Sequence, residues 1–283
     1  MILQEDREKF KKIIKLERRK LPTSKKIVND IVIRDQGLIQ LIEQKEISKA
    51  IKELRQAAYD NYLKIEDDFN KDIIKRLPII FEAPKDILEK LITEDILSLN
   101  NDDLKFKIMD ICGDYSGQIS PFIYDLNLST TNSRRARSGQ TFESIIYSLY
   151  EIMDYSYDSQ KKVGSKVFHE NNLGKKVDSI IPSIDCFNNK RTKVIIGTMK
   201  TSLRERWQEV AEEIARTRIP EIHLLTCDTE ISVNKAMEMK QHNITVVVYK
   251  EVKNKLNDYR NLISFEDYFF REIPNVLNYW DEN

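Results

Sequence analysis

Four charged residues in the second half of the chain have the types and the order needed to hydrolyse a phosphodiester. In chain order they are Glu143, Asp178, Lys200 and Glu213. Carboxylate oxygens are the ligands that Mg²⁺ prefers, and a water bound to this ion can attack phosphorus. The acids therefore predict a divalent-metal site with a lysine ammonium beside it.

The segment Val194–Ile219 must position two of these residues. Its first residues, Val194-Ile195-Ile196, are apolar, β-branched and too few for a helix, so they predict a buried strand that leads to Lys200. Ser202 is the predicted N-cap of the helix that follows. Apolar residues at helical spacing predict this helix, namely Leu203, Trp207, Val210 and Ile214. Lys200 should therefore lie where the strand meets the helix, with Glu213 further along that helix.

The two upstream acids lie on predicted elements of their own. Asp178 is followed by the apolar run Ser179–Pro182, and we predict that it lies within a short strand. Asp185 is the competing metal ligand. Glu143 is predicted to open a helix. The predicted loop before this helix is basic and carries Arg134, Arg135 and Arg137.

Both arginine runs could contact nucleic acid. In Arg204-Glu205-Arg206, each arginine can donate paired hydrogen bonds to guanine O6 and N7, and the glutamate can accept from cytosine N4. The alternative is a solvated helix whose charges pair with one another one turn apart. For the basic loop the alternatives are phosphate contact, which we favour, and simple solvation.

The order of these residues resembles the PD-(D/E)XK nuclease core, in the variant found in type II restriction endonucleases of the EcoRII/PspGI kind. In that variant the acid two positions before the lysine is replaced, and a glutamate on the following helix does its work. Thr198 occupies the replaced position here, and Lys200-Thr-Ser-Leu-Arg-Glu-Arg-Trp207 is similar to the group's catalytic and recognition signature. Val177 stands where the pattern has proline. The resemblance covers roughly residues 130 to 270.

The resemblance implies an α/β fold, with a nuclease core built on a central mixed sheet flanked by helices. It also implies Mg²⁺ as cofactor, held by Asp178 and Glu213 with help from Glu143. Asp178 is preferred to Asp185 because the pattern places the acid in the strand ahead of the proline. Lys200 would orient the attacking water or stabilise the transition state.

The resemblance further implies double-stranded DNA as substrate, at a short palindrome with CC and GG half-sites. CCNGG is the first choice and CCWGG the second. Cleavage before the first C would leave a five-base 5′ overhang, made by a homodimer that works beside a cognate DNA methyltransferase. Relatives place an arginine, and an aromatic residue four positions later, against extruded central nucleotides, and Arg55 and Tyr59 have that spacing. The alternative for these two is an ordinary half-buried helix pair.

Composition and periodicity set the remaining expectations. In the 283 residues, 46 basic side chains balance 46 acidic ones, so a DNA enzyme would need a local basic cleft. A secretory signal and a long apolar run are both lacking, so we expect no membrane association and a cytoplasmic location in a prokaryotic cell. We predict a mostly α-helical N-terminal region over residues 1–125, for DNA contact or dimerisation, and the nuclease core over residues 126–283. Residues 119–128 are predicted to form a loop.

Two other functions fit part of the pattern. A repair or recombination nuclease with the same core would share Asp178 and Lys200 but would have no reason for Arg204-Glu205-Arg206. A non-catalytic DNA-binding protein would keep the arginines without needing Lys200 or Glu213. Sequence-restricted, Mg²⁺-dependent cutting separates these three possibilities.

Overall fold

The protein forms two compact units. The first comprises Met1–Thr23 and Tyr59–Arg137, and the second comprises Ser24–Ala58 and Ser138–Asn283. The computed structural model describes residues 4–90, 96, 98–174, 176–204 and 206–282. The boundary that we predict between residues 125 and 126 falls inside one long helix.

Helices precede the first strand, in agreement with the predicted helical N-terminal region. They are α1 (Gln4–Arg18), α2 (Ser24–Arg34), α3 (Gln36–Glu43), α4 (Ile47–Lys75), α5 (Leu77–Ile80), α6 (Glu82–Glu89) and α7 (Asn101–Ile152). The unit boundaries fall directly before α2, within α4 and within α7. None of the helices in the described ranges combines the length and apolarity needed to cross a bilayer.

The first unit has an apolar core of its own, which includes stacked Phe81 and Phe122 with ring centroids 4.6 Å apart. The core residues are Phe10, Ile14, Phe69, Ile73, Leu77, Phe81, Ile119, Phe122 and Leu126. The prediction of a loop at residues 119–128 is wrong, because these residues lie in α7. Pro121 inside a helix costs about 3 kcal/mol. Burial of Ile119, Phe122 and Leu126 offsets this, since each such side chain contributes about 1.5–3 kcal/mol.

The second unit is built on a six-stranded mixed sheet whose strand order follows the chain. The strands are β1 (Asp158–Ser159), β2 (Ser179–Ile181), β3 (Ile195–Lys200), β4 (Ile222–Thr226), β5 (Ile244–Val248) and β6 (Leu262–Ser264). Pairing is antiparallel from β1 to β3 and parallel from β3 to β6. The mixed sheet with helices confirms the predicted fold class.

Short helices connect and flank these strands. They are α8 (Gln160–Val163), α9 (Ser165–Glu170), α10 (Ile184–Asn189), α11 (Arg206–Thr217), α12 (Val233–Gln241), α13 (Lys250–Lys255), α14 (Phe265–Asp267) and α15 (Ile273–Asp281). A π-helical turn at Tyr268–Glu272 joins the last two. α11 follows β3 and leads to the parallel strand β4, so the end of β3 and the start of α11 are joined by only a few residues.

The start of α4 is fastened to the carboxyl ends of β5 and β6. The Ser48 amide and hydroxyl donate to the Glu266 carboxylate at 2.7 and 2.9 Å. Arg55 donates to the hydroxyl of Tyr249 at 3.1 Å. These bonds explain why residues 24–58 belong to the unit that contains the sheet.

Candidate functional site

Asp178 and Lys200 meet where β2 begins and β3 ends. Ser179 pairs with Gly197 across the antiparallel strands, and the Asp178 amide donates to the Gly197 carbonyl at 2.8 Å. Asp178 lies one residue before β2, whereas we predicted it within the strand. The Lys200 Nζ lies 3.5 Å from Asp178 Oδ2. Asp185 is instead an exposed residue in the first turn of α10.

The Asp178 carboxylate is held on one of its two oxygens. Its Oδ2 accepts from the Met199 amide at 2.7 Å and from the Thr198 hydroxyl at 3.3 Å. The Lys200 ammonium donates to Thr198 Oγ1 at 3.0 Å and to the Met199 carbonyl at 3.2 Å. Residues 198 and 200 are two apart on a strand and thus share one face, which is why this spacing brings both to Asp178.

Burial controls the electrostatics of this pair. The side chains of Asp178 and Lys200 are only 19% and 15% exposed. Burial raises the pKa of the Asp178 carboxyl above its ordinary value, the Lys200 charge opposes that rise, and the Glu143 charge adds to it. A cation placed beside these two carboxylates would relieve both the burial cost and their mutual repulsion.

Glu143 reaches this cluster from α7. Glu143 Oε2 pairs with Lys161 Nζ at 2.7 Å. One turn later on the same helix, the Tyr147 hydroxyl donates to the Asp178 carbonyl at 2.9 Å. The prediction that Glu143 opens a helix is wrong, because α7 begins at Asn101. Packing of the α7 residues upstream of Glu143 sustains the helix through the segment that we predicted as a basic loop.

Glu213 lies on α11, as predicted, and its carboxylate pairs with Arg216. Its side chain is 8% exposed, and its Oε1 accepts from Arg216 at 2.9 Å. Gly174 makes room for it, because a Cβ at position 174 would lie 1.0 Å from Glu213 Oε1. Among the described residues, no three His, Cys, Asp or Glu side chains lie close enough together to hold a metal ion. The described site thus presents the carboxylates of Asp178 and Glu143, and Mg²⁺ commonly binds proteins through only one or two carboxylates, with water and phosphate completing its shell.

The structure adds residues that the sequence pattern did not single out. Lys176 forms an ion pair with Glu209, one turn before Glu213 on α11. The bond to Lys176 lowers the pKa of Glu209, and the charges of Lys200 and Arg206 act in the same direction. Glu209 therefore lies within electrostatic reach of Lys200. Its position three residues after Arg206, on the same helix face, was the available signal.

The run predicted to contact bases begins at Arg204, which precedes α11 instead of lying within it. Arg204 has a left-handed backbone, with φ of 34°, and α11 begins at Arg206. Ser202 is therefore not the N-cap. The Leu203 amide instead donates to Asp228 Oδ2 at 2.8 Å, and the Leu203 side chain is fully buried. Arg204 and Arg206 are both exposed, and Glu205 lies outside the described residues.

The other predicted contact residues lie on the two long helices. Arg134, Arg135 and Arg137 belong to α7, so the predicted basic loop is helical. Arg134 Nε donates to Glu66 at 2.6 Å, and Arg137 donates to the Pro22 carbonyl at 2.8 Å, while Arg135 is exposed.

The predicted base-flipping residues lie on α4. Tyr59 is exposed over 48% of its surface. Arg55 is only partly exposed and donates to Tyr249.

Solved structures identify the fold. Ecl18kI, solved metal-depleted in complex with uncleaved DNA, matches with a TM-score of 0.75 and 26% identity over 98% of this chain and 87% of that one. The complex of restriction endonuclease PspGI with substrate DNA matches with a TM-score of 0.60 and 18% identity over 93% and 96%. The fold is thus that of a restriction endonuclease.

The amino-acid sequence gives the family. The family pattern described as EcoRII C terminal matches residues 102–269, and the chain belongs to this family. The type II restriction enzyme SsoII of Shigella sonnei is 37% identical over 183 residues, which cover 63% of this chain and 60% of SsoII. The match therefore spans less than two thirds of SsoII. The matched segment 102–269 contains the described residues of the site, including Asp178 and Lys200.

Proposed function

We propose that this protein is a type II restriction endonuclease that hydrolyses double-stranded DNA. The observation that carries the proposal is the pairing of Asp178 with Lys200, both largely buried, where β2 begins and β3 ends. Exposed Arg204 follows Lys200 by four residues. An acid–lysine pair suits phosphodiester hydrolysis, and free guanidinium groups suit base-edge contact. Membership of the EcoRII C-terminal family, and the DNA present in the Ecl18kI and PspGI complexes, support the same conclusion.

The carboxylates of Asp178 and Glu143 are the proposed holders of Mg²⁺, with Glu213 as a third ligand that would have to exchange its bond to Arg216. The Ecl18kI complex is described as metal-depleted, and we extend metal use from that relative to this chain. When bound, Mg²⁺ would activate a water and offset the charge that develops on the phosphate. The Lys200 ammonium, held by Thr198 and Met199, would orient that water or stabilise the transition state.

Recognition is proposed to fall to Arg204, Glu205 and Arg206. Two arginine forks can donate to two guanines, and one carboxylate can accept from cytosine, which matches a half-site of CC paired with GG. We therefore propose CCNGG as the target, with CCWGG as the second choice, cut before the first C to leave a five-base 5′ overhang. A homodimer with one half-site per subunit follows from the palindrome, and a cognate methyltransferase would protect host DNA.

Contacts outside the half-sites are also proposed. The guanidinium group of Arg135 is exposed and has no hydrogen-bond or ion-pair partner among the described residues, so it is the first candidate for a phosphate contact on α7. Arg134 and Arg137 already donate to the Glu66 carboxylate and to the Pro22 carbonyl. A phosphate contact by either would have to use the remaining N–H groups of its guanidinium. The exposed ring of Tyr59 is the candidate to stack on an extruded central nucleotide, with Arg55 as its sequence partner.

Digestion of a sequenced plasmid with the purified chain and Mg²⁺, followed by sequencing of the fragment ends, tests the proposal. Discrete ends at CCNGG sites with a five-base overhang are the expected result. Ends confined to CCWGG would narrow the target. Ends without a shared sequence would favour a repair-type nuclease. Specific binding without cutting, in Mg²⁺ or Mn²⁺, would favour a non-catalytic binding protein.

A further inference from the structure

The hydroxyl of Thr198 touches both charged groups of the site. Thr198 is fully buried on β3, and its Oγ1 lies 3.3 Å from Asp178 Oδ2 and 3.0 Å from Lys200 Nζ. A threonine hydroxyl has one proton to donate and lone pairs with which to accept. It can therefore donate to the carboxylate and accept from the ammonium at the same time. One neutral group thus links the acid to the lysine.

These bonds leave the two oxygens of Asp178 in different situations. Oδ2 receives the Met199 amide and the Thr198 hydroxyl and has the Lys200 ammonium 3.5 Å away. No hydrogen bond from a described residue ends on Oδ1. A carboxylate fixed through one oxygen cannot rotate freely about its terminal torsion, so the direction of the other oxygen is fixed as well. The lone pairs of Oδ1 therefore stay available for a cation.

The residue type at position 198 follows from this arrangement. A carboxylate at this fully buried place would add a further negative charge to Asp178 and Glu143, and buried charges are costly unless they are paired. Threonine supplies the hydrogen bonds without the charge. Its β-branched side chain is also held in few rotamers on a strand, so the hydroxyl keeps its direction.

We propose that Thr198 is a positioning residue of this site, whose hydroxyl sets the Asp178 carboxylate and the Lys200 ammonium relative to each other. The proposal rests on the proposed nuclease function. Because Thr198 is fully buried, we assign it no contact of its own with substrate or metal. It acts through Asp178 and Lys200, and its loss should weaken metal binding and slow cleavage while DNA affinity without metal is retained.

Thr198→Val and Thr198→Ser form the matched pair for the test. Valine keeps the branched shape and removes the hydroxyl, whereas serine keeps the hydroxyl and removes the methyl group. Thr130→Val is the control for loss of a buried threonine hydroxyl elsewhere, because Thr130 bonds to Arg18 and Asn70 and not to the site. Far-UV circular dichroism establishes that each variant folds. If Thr198→Val does not fold, Thr198→Ala replaces it in the comparison with serine.

Two readouts are needed. The first is the rise in melting temperature of the DNA-free protein during titration with Mg²⁺ or Mn²⁺, which reports metal affinity without catalysis. The second is the single-turnover cleavage rate at saturating DNA. For Thr198→Val we expect a loss of about 10–100-fold in metal affinity or rate, as for other residues that orient metal ligands. Thr198→Ser and Thr130→Val should remain close to the unaltered protein.

Three results would overturn the proposal. Thr198→Val could match the unaltered protein in both readouts, which would mean that the hydroxyl does nothing. Serine and valine could be equally impaired, which would mean that Thr198 only fills space. Thr130→Val could lose as much metal affinity and cleavage rate as Thr198→Val, which would mean that loss of any buried threonine hydroxyl has this effect. If the unaltered chain cuts no DNA yet the metal titration still separates valine from serine, the nuclease function fails and the positioning role stands.

Discussion

Two arginine-containing segments of this chain look alike in composition but differ in what their guanidinium groups contact. On α7, Arg134 donates to Glu66 and Arg137 donates to the Pro22 carbonyl and lies 4.3 Å from the centroid of the Tyr62 ring. At the start of α11, Arg204 and Arg206 are exposed, and their guanidinium groups form no hydrogen bond or ion pair with any described residue. The first pair is engaged in holding its own unit together, whereas the second is free for a ligand.

A run of arginines therefore does not by itself mark a binding site. The role of an arginine depends on what its guanidinium group contacts. The group that Arg134 contacts, the Glu66 carboxylate, lies 68 positions away in the chain. Substitution of Arg204 or Arg206 should therefore weaken DNA binding and leave stability nearly unchanged. Substitution of Arg134 should do the reverse.

Lys200→Ala should reduce cleavage of a CCNGG duplex by at least about 100–1,000-fold, as loss of one charge-stabilising donor does in other enzymes. Single-turnover kinetics with Mg²⁺ measures this. Specific binding without metal should persist, and Asp178→Ala should behave in the same way. Loss of the folded state in both variants would instead assign the pair a structural role.

Arg204→Ala should weaken specific binding by roughly 1–3 kcal/mol and relax discrimination at one guanine. Fluorescence anisotropy with duplexes that vary one base pair at a time measures this, and thermal unfolding should stay unchanged. Equal weakening on every duplex would make Arg204 a phosphate contact.

Arg134→Ala should lower the free energy of unfolding by about 1–3 kcal/mol, because it leaves the buried carboxylate of Glu66 without its partner. Urea denaturation measures the change. Arg135→Ala is the matched control on the same helix and should change stability by less than about 0.5 kcal/mol. If both variants lose equal stability, the ion pair with Glu66 is not the cause.

Tyr59→Ala should weaken binding by about 1 kcal/mol if its exposed ring stacks on an extruded base. A fluorescent base analogue at the central position of the duplex would report extrusion directly. An unchanged analogue signal in this variant would remove Tyr59 from the proposal, and Tyr124→Ala, which alters another exposed tyrosine, serves as control.

Asp178→Asn should raise the melting temperature of the metal-free protein at neutral pH by a small amount. Burial raises the pKa of this carboxyl in the native state, so between its unfolded and native pKa values the native state binds more protons. Stability should then fall as pH rises through that window, and asparagine should abolish the fall. Melting curves from acid to neutral pH test this. A less stable asparagine variant at neutral pH would contradict it.

The features of the fold and the site that could be predicted from sequence depend on local residue patterns. The β-branched run before Lys200 predicts β3, and the two-residue spacing of Thr198 and Lys200 predicts that both share a strand face. The helical character of residues 119–128 could not be predicted, because Pro121 argues against it and only burial in the first unit reverses that argument. The three-residue spacing on α11 allows Glu213 to pair with Arg216. Spacing alone does not say whether Glu213 pairs with Arg216 or binds a metal.

A comparison of Arg206→Ala with Arg134→Ala tests whether α11 reads the DNA sequence while the arginines of α7 stabilise the fold. Each is titrated by anisotropy, without Mg²⁺, against a CCNGG duplex and a duplex of scrambled sequence. The ratio of the two affinities should collapse for Arg206→Ala and persist for Arg134→Ala. A ratio that persists for Arg206→Ala and collapses for Arg134→Ala would contradict the assignment of α11 to recognition and α7 to the fold.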